Sequence, residues 1–239
     1  MLLTEPEQVA EAAARLEGCA PEEILAWAID VYQPGIAVSC SFGGPSGLVL
    51  AHMVACIDRR VPILFIDTGF LFPETYALKD RFCEKYGLRI VHVRPHLSPE
   101  DQAALYGPEL WERGPDRCCY VRKVVPMEAA LEPLNAWVTG LRRDQSPTRS
   151  AIGVLESHRL RERLIVKVNP LAAWTRADVW SYLLAHDIPY NPLLDRGFRS
   201  LGCRQCTSPT APADEPRSGR WPGRPKVECG LHTFTERIC

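Results

Sequence analysis

The cysteines of this 239-residue chain number ten, and their spacing sorts them by chemistry. Cys118 and Cys119 are adjacent, Cys203 and Cys206 form a C-x-x-C pair, and residues 120–202 separate the two groups. Four thiolates in two groups can converge on one tetrathiolate site. Zinc sites usually show two C-x-x-C knuckles, and adjacent cysteines must splay awkwardly to reach a single ion. A cubane offers a separate iron corner to each thiolate. The spacing therefore points to a [4Fe–4S] cluster, with Arg117, Arg122 and Lys123 close by to offset its charge. Cys229 stands apart, between Glu228 and Gly230, with Lys226 and His232 near in sequence. A lone cysteine in an electropositive tail is where a reactive thiolate is placed, and an inert tail thiol is the bland alternative. Cys19, Cys40, Cys56 and Cys83 read as small buried hydrophobes within helices or strands.

Three further segments suit an anionic ligand. Ser39–Gly47, rich in glycine and serine, offers N–H groups and hydroxyls at a helix start, although a plain strand-to-helix turn reads equally well. Asp67 and Thr68 end an apolar run and could meet a ribose or an adenine edge, or simply cap the next helix. Arg142 and Arg143, with Arg149 beyond, follow the run Ala136–Thr139, a placement that suits bidentate contacts to phosphate or sulfate oxygens.

These residues need a scaffold, and the hydrophobic pattern supplies one. Residues 5–31 read as amphipathic helix, interrupted at Ala20-Pro-Glu-Glu23. Apolar runs at 35–39, 61–67 and 88–93 alternate with helical stretches at 46–58 and 73–86, the second ended by Gly87. Runs at 136–139 and 164–168 add two more strands. Continuous apolar strands separated by helices indicate a parallel sheet covered on both faces, with ligands at the carboxyl ends of its strands. Thr175, three residues before Asp178, caps a helix over 176–186. Five prolines between Thr207 and Pro225 mark a mobile segment leading to the Cys229 tail.

Composition removes several function classes. The chain is 46% hydrophobic and 24% charged, enough apolar surface for a proper core. A net charge of −1 argues against a general nucleic-acid binder. The near-neutral total conceals an acidic arm over residues 1–34 and basic segments over 113–149 and 199–237. No apolar run reaches the length of a membrane-spanning helix, and the first residues lack the pattern of a secretory signal. The expected setting is cytoplasmic, with neither membrane nor nucleic acid as partner.

From Ser39 to His232 the chain resembles the assimilatory adenylyl-sulfate (APS) reductases of the APS/PAPS reductase family. The likeness rests on Ile66-Asp-Thr-Gly69 with Pro73-Glu-Thr-Tyr76, Cys118-Cys-Tyr-Val-Arg-Lys123, Trp137-Val-Thr-Gly-Leu-Arg-Arg143 and Val168–Thr175. It extends through Gly202-Cys-x-x-Cys206, Arg217-Ser-Gly-Arg-Trp221 and Glu228-Cys-Gly-Leu-His232. The resemblance implies an α/β, parallel-sheet, adenine-nucleotide α-hydrolase-like (Rossmann-like) domain with a mobile C-terminal tail. Residues 1–206 would form the nucleotide- and cluster-binding body, and 207–239 the linker and catalytic tail. It implies reduction of APS to sulfite and AMP through an S-sulfocysteine on Cys229, with thioredoxin or a related dithiol as reductant. Cys118, Cys119, Cys203 and Cys206 would hold the cluster. Substrate contacts would come from Ser41, Phe42, Gly43, Gly44, Asp67, Thr68, Gly69, Lys123, Arg142, Arg143 and His232. The alternative is a PAPS reductase. Two departures stand out: Pro45 occupies the phosphate loop where relatives carry acids, and Cys239 has no counterpart and is expected to serve as an internal resolving thiol.

Overall fold

The computed structural model describes residues 3–211, 213–215, 217–226 and 228–238, so Cys239 lies outside the described residues. Two helices, α1 (Pro6–Leu16) and α2 (Pro21–Tyr32), form the acidic arm, each opening with a proline whose missing N–H costs nothing in a first turn. Alternating units follow: β1 (Ile36–Ser39), α3 (Pro45–Ile57), β2 (Ile63–Ile66), α4 (Pro73–Tyr86) and β3 (Ile90–Val93). Gly87 ends α4 in the left-handed region at φ 62°, a conformation glycine adopts without cost. Three short helices come next, α5 (Pro99–Tyr106), α6 (Leu110–Arg113) and α7 (Pro115–Cys119). A π-helical turn, Tyr120–Val124, then joins α7 to α8 (Val125–Leu131). Pro126 explains the widened turn. It has no N–H to close onto the carbonyl four residues back, so the ladder is re-registered just before it.

After β4 (Ala136–Val138) come β5 (Leu155–Leu160), β6 (Arg163–Val168), α9 (Arg176–Ala185) and β7 (Glu236–Ile238). The seven strands form one sheet in the order β3-β2-β1-β4-β6-β5-β7. The expected parallel part is present, since β3, β2, β1, β4 and β6 are mutually parallel. Two antiparallel strands not expected from the sequence, β5 and β7, extend it. Strand order reverses between β1 and β4, which places a ligand crevice at the carboxyl ends of those two strands.

Each face of the sheet carries its own core. On one, Phe42 is fully buried between Phe65 and Phe82, with ring centroids 5.7 and 5.6 Å away and edge-to-face geometry. On the other, Trp137 packs with Met127 and Leu131 of α8 and with Leu231 and Phe234 of the tail. The segment expected to be mobile is thus folded onto the body here. Thr207 bridges Arg220, and Trp221 is buried, flanked by the Arg220 and Lys226 cations at 4.6 and 5.2 Å. Of the four cysteines expected to be buried only Cys40 is, and Cys19 and Cys83 are half-buried. Cys56 is exposed on the outer side of α3, its sulfur 3.8 Å from His52 Nε2, so it is not a packing residue.

The expected cap of α9 is realised in both directions, with Thr175 Oγ1 accepting from the Asp178 N–H at 3.2 Å and the Asp178 carboxylate accepting from the Thr175 N–H at 2.7 Å. Thr175→Ala is expected to cost about 1 kcal/mol, lowering Tm by roughly 2–4 °C in a chain of this size. Thermal denaturation measures this, and an unchanged Tm would deny the cap its role.

Candidate active site

A cleft of about 480 Å3 opens at the β1/β4 crevice. Its lining includes Ser39–Ser41 and the start of α3, Gly44–Gly47, a 13-residue helix whose N-cap makes no side-chain hydrogen bond. Phe42 shapes this loop without lining the cleft. It holds a left-handed φ of 51°, which costs a non-glycine residue energy, and its ring is anchored in the aromatic core. Gly43 likewise lies behind the lining, its N–H 3.4 Å from Ser41 Oγ.

The walls are cationic. Lys123, Arg142, Arg149, Arg176, Arg199, Arg217 and Arg220 line the cleft, against the carboxylates of Asp144 and Glu228. Arg142 is buried, held by Asp144 at 2.9 Å and by Ser46 Oγ at the start of α3. Arg143 departs from the sequence expectation. Its guanidinium forms a bidentate pair with Glu17 of the arm, at 2.7 and 2.9 Å, and donates to the Ile152 carbonyl at 2.9 Å. It braces the loop that presents Arg142 and does not enter the cleft.

The Asp67 loop is divided too. Thr68 lines the cleft, whereas Asp67 is occupied by the Tyr76 hydroxyl at 2.6 Å, Arg94 at 3.1 Å and the Gly69 N–H at 3.2 Å. Burial works against the Asp67 charge, yet these three donors hold its carboxyl below the usual range. Asp67 and Gly69 are therefore loop-shaping residues, not lining ones.

Cys229 enters the cleft from the tail, half-buried, beside Lys123 and His232. Burial would push its thiol up, but the Lys123 ammonium, the Leu231 N–H and Arg220 bring it below the ordinary thiol range. Lys123 shows the reciprocal effect. Burial disfavours its charge, and Cys203, Cys229 and Cys119 more than restore it, holding the amine above the usual lysine range. Glu228 fixes the approach to the cysteine, paired with Arg149 at 2.8 Å and Arg217 at 3.3 Å. After it, Gly230 turns the chain at φ 83° against Val124 of the π-helical turn, where a Cβ would come within 3.3 Å of a methyl. The His232 ring stacks on Trp137 at 5.4 Å and 12°. Burial and the neighbouring cations Lys167, Arg149 and Arg217 push its pKa well down, so the imidazole is neutral.

Behind Lys123 lie the other four cysteines, outside the cleft lining. Cys118, Cys119 and Cys203 are buried and Cys206 is half-buried. Burial, then the charges of Cys203 and Cys206, pushes Cys118 up to about 11. Burial likewise takes Cys119 up to about 12, although Lys123 opposes it. The four thiols are thus near enough to oppose one another's ionisation, and a positive group among them would be needed to make them thiolates. Among the described residues no three His, Cys, Asp or Glu side chains converge as ligands of a single ion. Two sulfurs already have donors at hand. Gln102 Nε2 lies 3.9 Å from Cys118 Sγ, and the Thr68 hydroxyl lies 3.4 Å from Cys203 Sγ.

The structure thus brings Ser41, Gly44, Thr68, Lys123, Arg142, Cys229 and His232 to one cleft, and leaves Phe42, Gly43, Asp67, Gly69 and Arg143 behind it. Arg176, Arg199, Arg217, Arg220 and Glu228 join the site without having been singled out as contacts. The i, i+3 pair Arg217/Arg220 in a proline-rich stretch was a usable signal; Arg176 and Arg199 had none.

Residues 35–209 match the family described as the phosphoadenosine phosphosulfate reductase domain. The chain is 46% identical over 223 residues to a phosphoadenosine 5'-phosphosulfate reductase of Gloeobacter violaceus, covering 92% of this chain and 91% of the relative. It is 44% identical over 224 residues to an adenosine 5'-phosphosulfate reductase of Salinibacter ruber, covering 93% and 88%. The crystal structure of the phosphoadenylyl-sulfate (PAPS) reductase of Candida auris in a phosphate complex superposes with a TM-score of 0.73 at 32% identity, covering 86% of this chain and 98% of that one.

Proposed function

The chain belongs to the phosphoadenosine phosphosulfate reductase family, and on that premise we propose that it reduces adenosine 5'-phosphosulfate (APS) to sulfite and AMP in sulfate assimilation. The adenine-nucleotide α-hydrolase-like fold expected from the sequence is the fold it has. The observation that carries the reading is the meeting of Cys229, its thiol drawn down by Lys123, with a cationic cleft at the sheet's switch point.

The chemistry follows from that meeting. The nucleotide's phosphate seats at the first turn of α3 and Arg142, which places the sulfate towards Lys123 and Cys229. The Cys229 thiolate attacks the sulfate sulfur. The bond from sulfur to the phosphate oxygen breaks, AMP leaves, and Cys229 carries an S-sulfo group. A dithiol such as thioredoxin then attacks Cys229 Sγ; the S–S bond breaks and sulfite departs with the electron pair. The second thiol of the reductant closes its own disulfide and returns Cys229 as a thiol, so two electrons pass from dithiol to sulfur. Tail movement about the 207–228 segment would present the modified cysteine to that partner.

The four remaining thiols lie near enough to oppose one another's ionisation, and their spacing, an adjacent pair and a C-x-x-C pair, suits a polynuclear group. Cys118, Cys119, Cys203 and Cys206 would hold a [4Fe–4S] cluster, which supplies fixed charge behind Lys123 when bound. Cys239 as a resolving thiol is a separate proposal, tested by single-turnover sulfite release from Cys239→Ser without added reductant; an unchanged yield would end it.

The decisive experiment is incubation of the purified protein with APS and no thiol, followed by mass spectrometry. The expected result is a gain of one SO3 on the peptide containing Cys229. No adduct, or an adduct elsewhere, would overturn the mechanism. A PAPS preference is the second reading, favoured by the name of the Gloeobacter violaceus relative, and the ratio of kcat/KM for the two nucleotides decides it. The divided arginine pair makes a sharper prediction. Arg142→Met is expected to raise the KM for APS on the order of 30-fold, the worth of a charge-assisted contact. Arg143→Met is expected to change it less than about threefold, since its charge faces Glu17. Equal effects would show that Arg143 reaches substrate after all.

A further inference from the structure

Lys167 is a buried cation that the chemistry above does not use. It lies in β6, 3% exposed, opposite Glu156 of β5 and beside Trp137 of β4. Placing an ammonium there carries a desolvation cost that an apolar residue of the same length would avoid. What the charge gains is contact with the tail. Its Nζ donates to the His232 carbonyl at 3.4 Å and sits 5.3 Å over the Trp137 ring, the ring on which His232 is stacked.

The neighbouring polar groups of β5 reach the same segment. His158 Nδ1 meets the Thr235 hydroxyl at 2.9 Å, and Glu156 pairs with Arg237 at 3.2 Å. The backbone of β7 pairs with β5 over Ser157–Arg159, while Leu231 and Phe234 complete the core beneath. Residues 231–238 are therefore tied through their polar groups, their backbone and their apolar side chains. On the other side of Cys229 the ties are the Glu228 ion pairs.

We propose that Lys167 is a positioning residue for Cys229: by fixing the carbonyl and ring of His232 it makes the segment after Gly230 a rigid seat from which the thiol is aimed at Lys123 and the cleft. The inference rests on Cys229 being the attacking thiol. Opening of the tail then proceeds from the Glu228 side, with Gly230 as the pivot and residues 231–238 left in place.

The test is Lys167→Met, which keeps length and packing and removes the charge, read by amide hydrogen exchange of the whole chain without substrate. Exchange over 231–235 is expected to quicken about tenfold or more, with β1 and β2 unchanged. In single turnover with APS, formation of the SO3 adduct is expected to slow about tenfold while KM moves less than threefold. Thr235→Val cuts an independent tie to the same segment and is expected to quicken exchange there too, so the seat is tested even if Lys167→Met does not fold. Unchanged exchange over 231–235 in the folded variants would overturn the proposal. So would a uniform rise across the sheet, which would make Lys167 a general stabiliser, or a KM effect with the adduct rate intact. Exchange needs no nucleotide, so an absent adduct in the unsubstituted protein would refute the reductase mechanism while the seat is judged on exchange alone.

Discussion

Cys229→Ser is expected to lower sulfite formation by at least ~1000-fold while the affinity for AMP stays within about threefold. The serine is isosteric and Gly230 is untouched, so the seat of the tail and the cationic cleft should survive. What disappears is the nucleophile. Lys123 and the Leu231 N–H draw the thiol below its ordinary range, but a hydroxyl starts so far above a thiol that the same surroundings leave it protonated. Coupled sulfite release measures the loss, calorimetric titration with AMP checks the cleft, and intact mass checks that no adduct forms. Residual turnover above about one part in a hundred would mean that another group attacks sulfur.

Lys123→Met should show itself as a displaced pH profile, not only as a slower rate. Burial acts on Cys229 to raise its thiol, and Lys123 is the largest influence acting the other way. Without the ammonium the thiol pKa rises, so at pH 7 a smaller fraction is thiolate. Each unit of that rise costs about tenfold in thiolate at pH values below it. Adduct formation at pH 7 is expected to fall tenfold or more, and the rising limb of the pH–rate curve should move to higher pH. Raising the pH should then narrow the gap between variant and parent, because the missing charge is replaced by mass action of hydroxide. A uniform loss at every pH would instead assign Lys123 to contact with the sulfate alone. Alkylation of Cys229 without nucleotide separates the two, since only the thiolate contribution survives there.

How much of this could be read from the chain alone varied with the physical signal. The parallel strands announce themselves because both their faces are covered, so Ile36-Ala-Val38 and Ile63-Leu-Phe-Ile66 are unbroken apolar runs. Strand β5 was invisible for the opposite reason. Glu156, Ser157 and His158 are buried in it, and Glu156 and His158 take partners from Asn169 and from Thr235 of the tail that no local pattern discloses. The two arginines after β4 were legible as a pair, but direction is a property of the packed loop. One residue step turns Arg142 to Ser46 and Arg143 to Glu17, 126 positions earlier in the chain. The loops at Ser41 and Asp67 were located correctly as loops. Which of their residues face the opening is decided by Phe42 turning into the aromatic core and by Tyr76 and Arg94 claiming Asp67. The docking of the tail was the least legible part. Proline content speaks for weak local structure, while Leu231, Phe234 and β7 are held by contacts from distant parts of the chain.

Stacking of His232 on Trp137 has an optical consequence. The indole is fully buried, its N–H bonded to Ser39 Oγ at 2.9 Å, and one of its faces is covered by a ring that belongs to the seat of the tail. Loosening of that seat, as Lys167→Met is expected to cause, admits water to a fluorophore that is otherwise dry, and the emission of an indole shifts to the red when its surroundings become polar. With the other five tryptophans replaced by phenylalanine, Trp137 would report whether that seat holds while the tail opens. Its emission should stay constant if the tail opens at Gly230, and shift to the red only if residues 231–235 come loose.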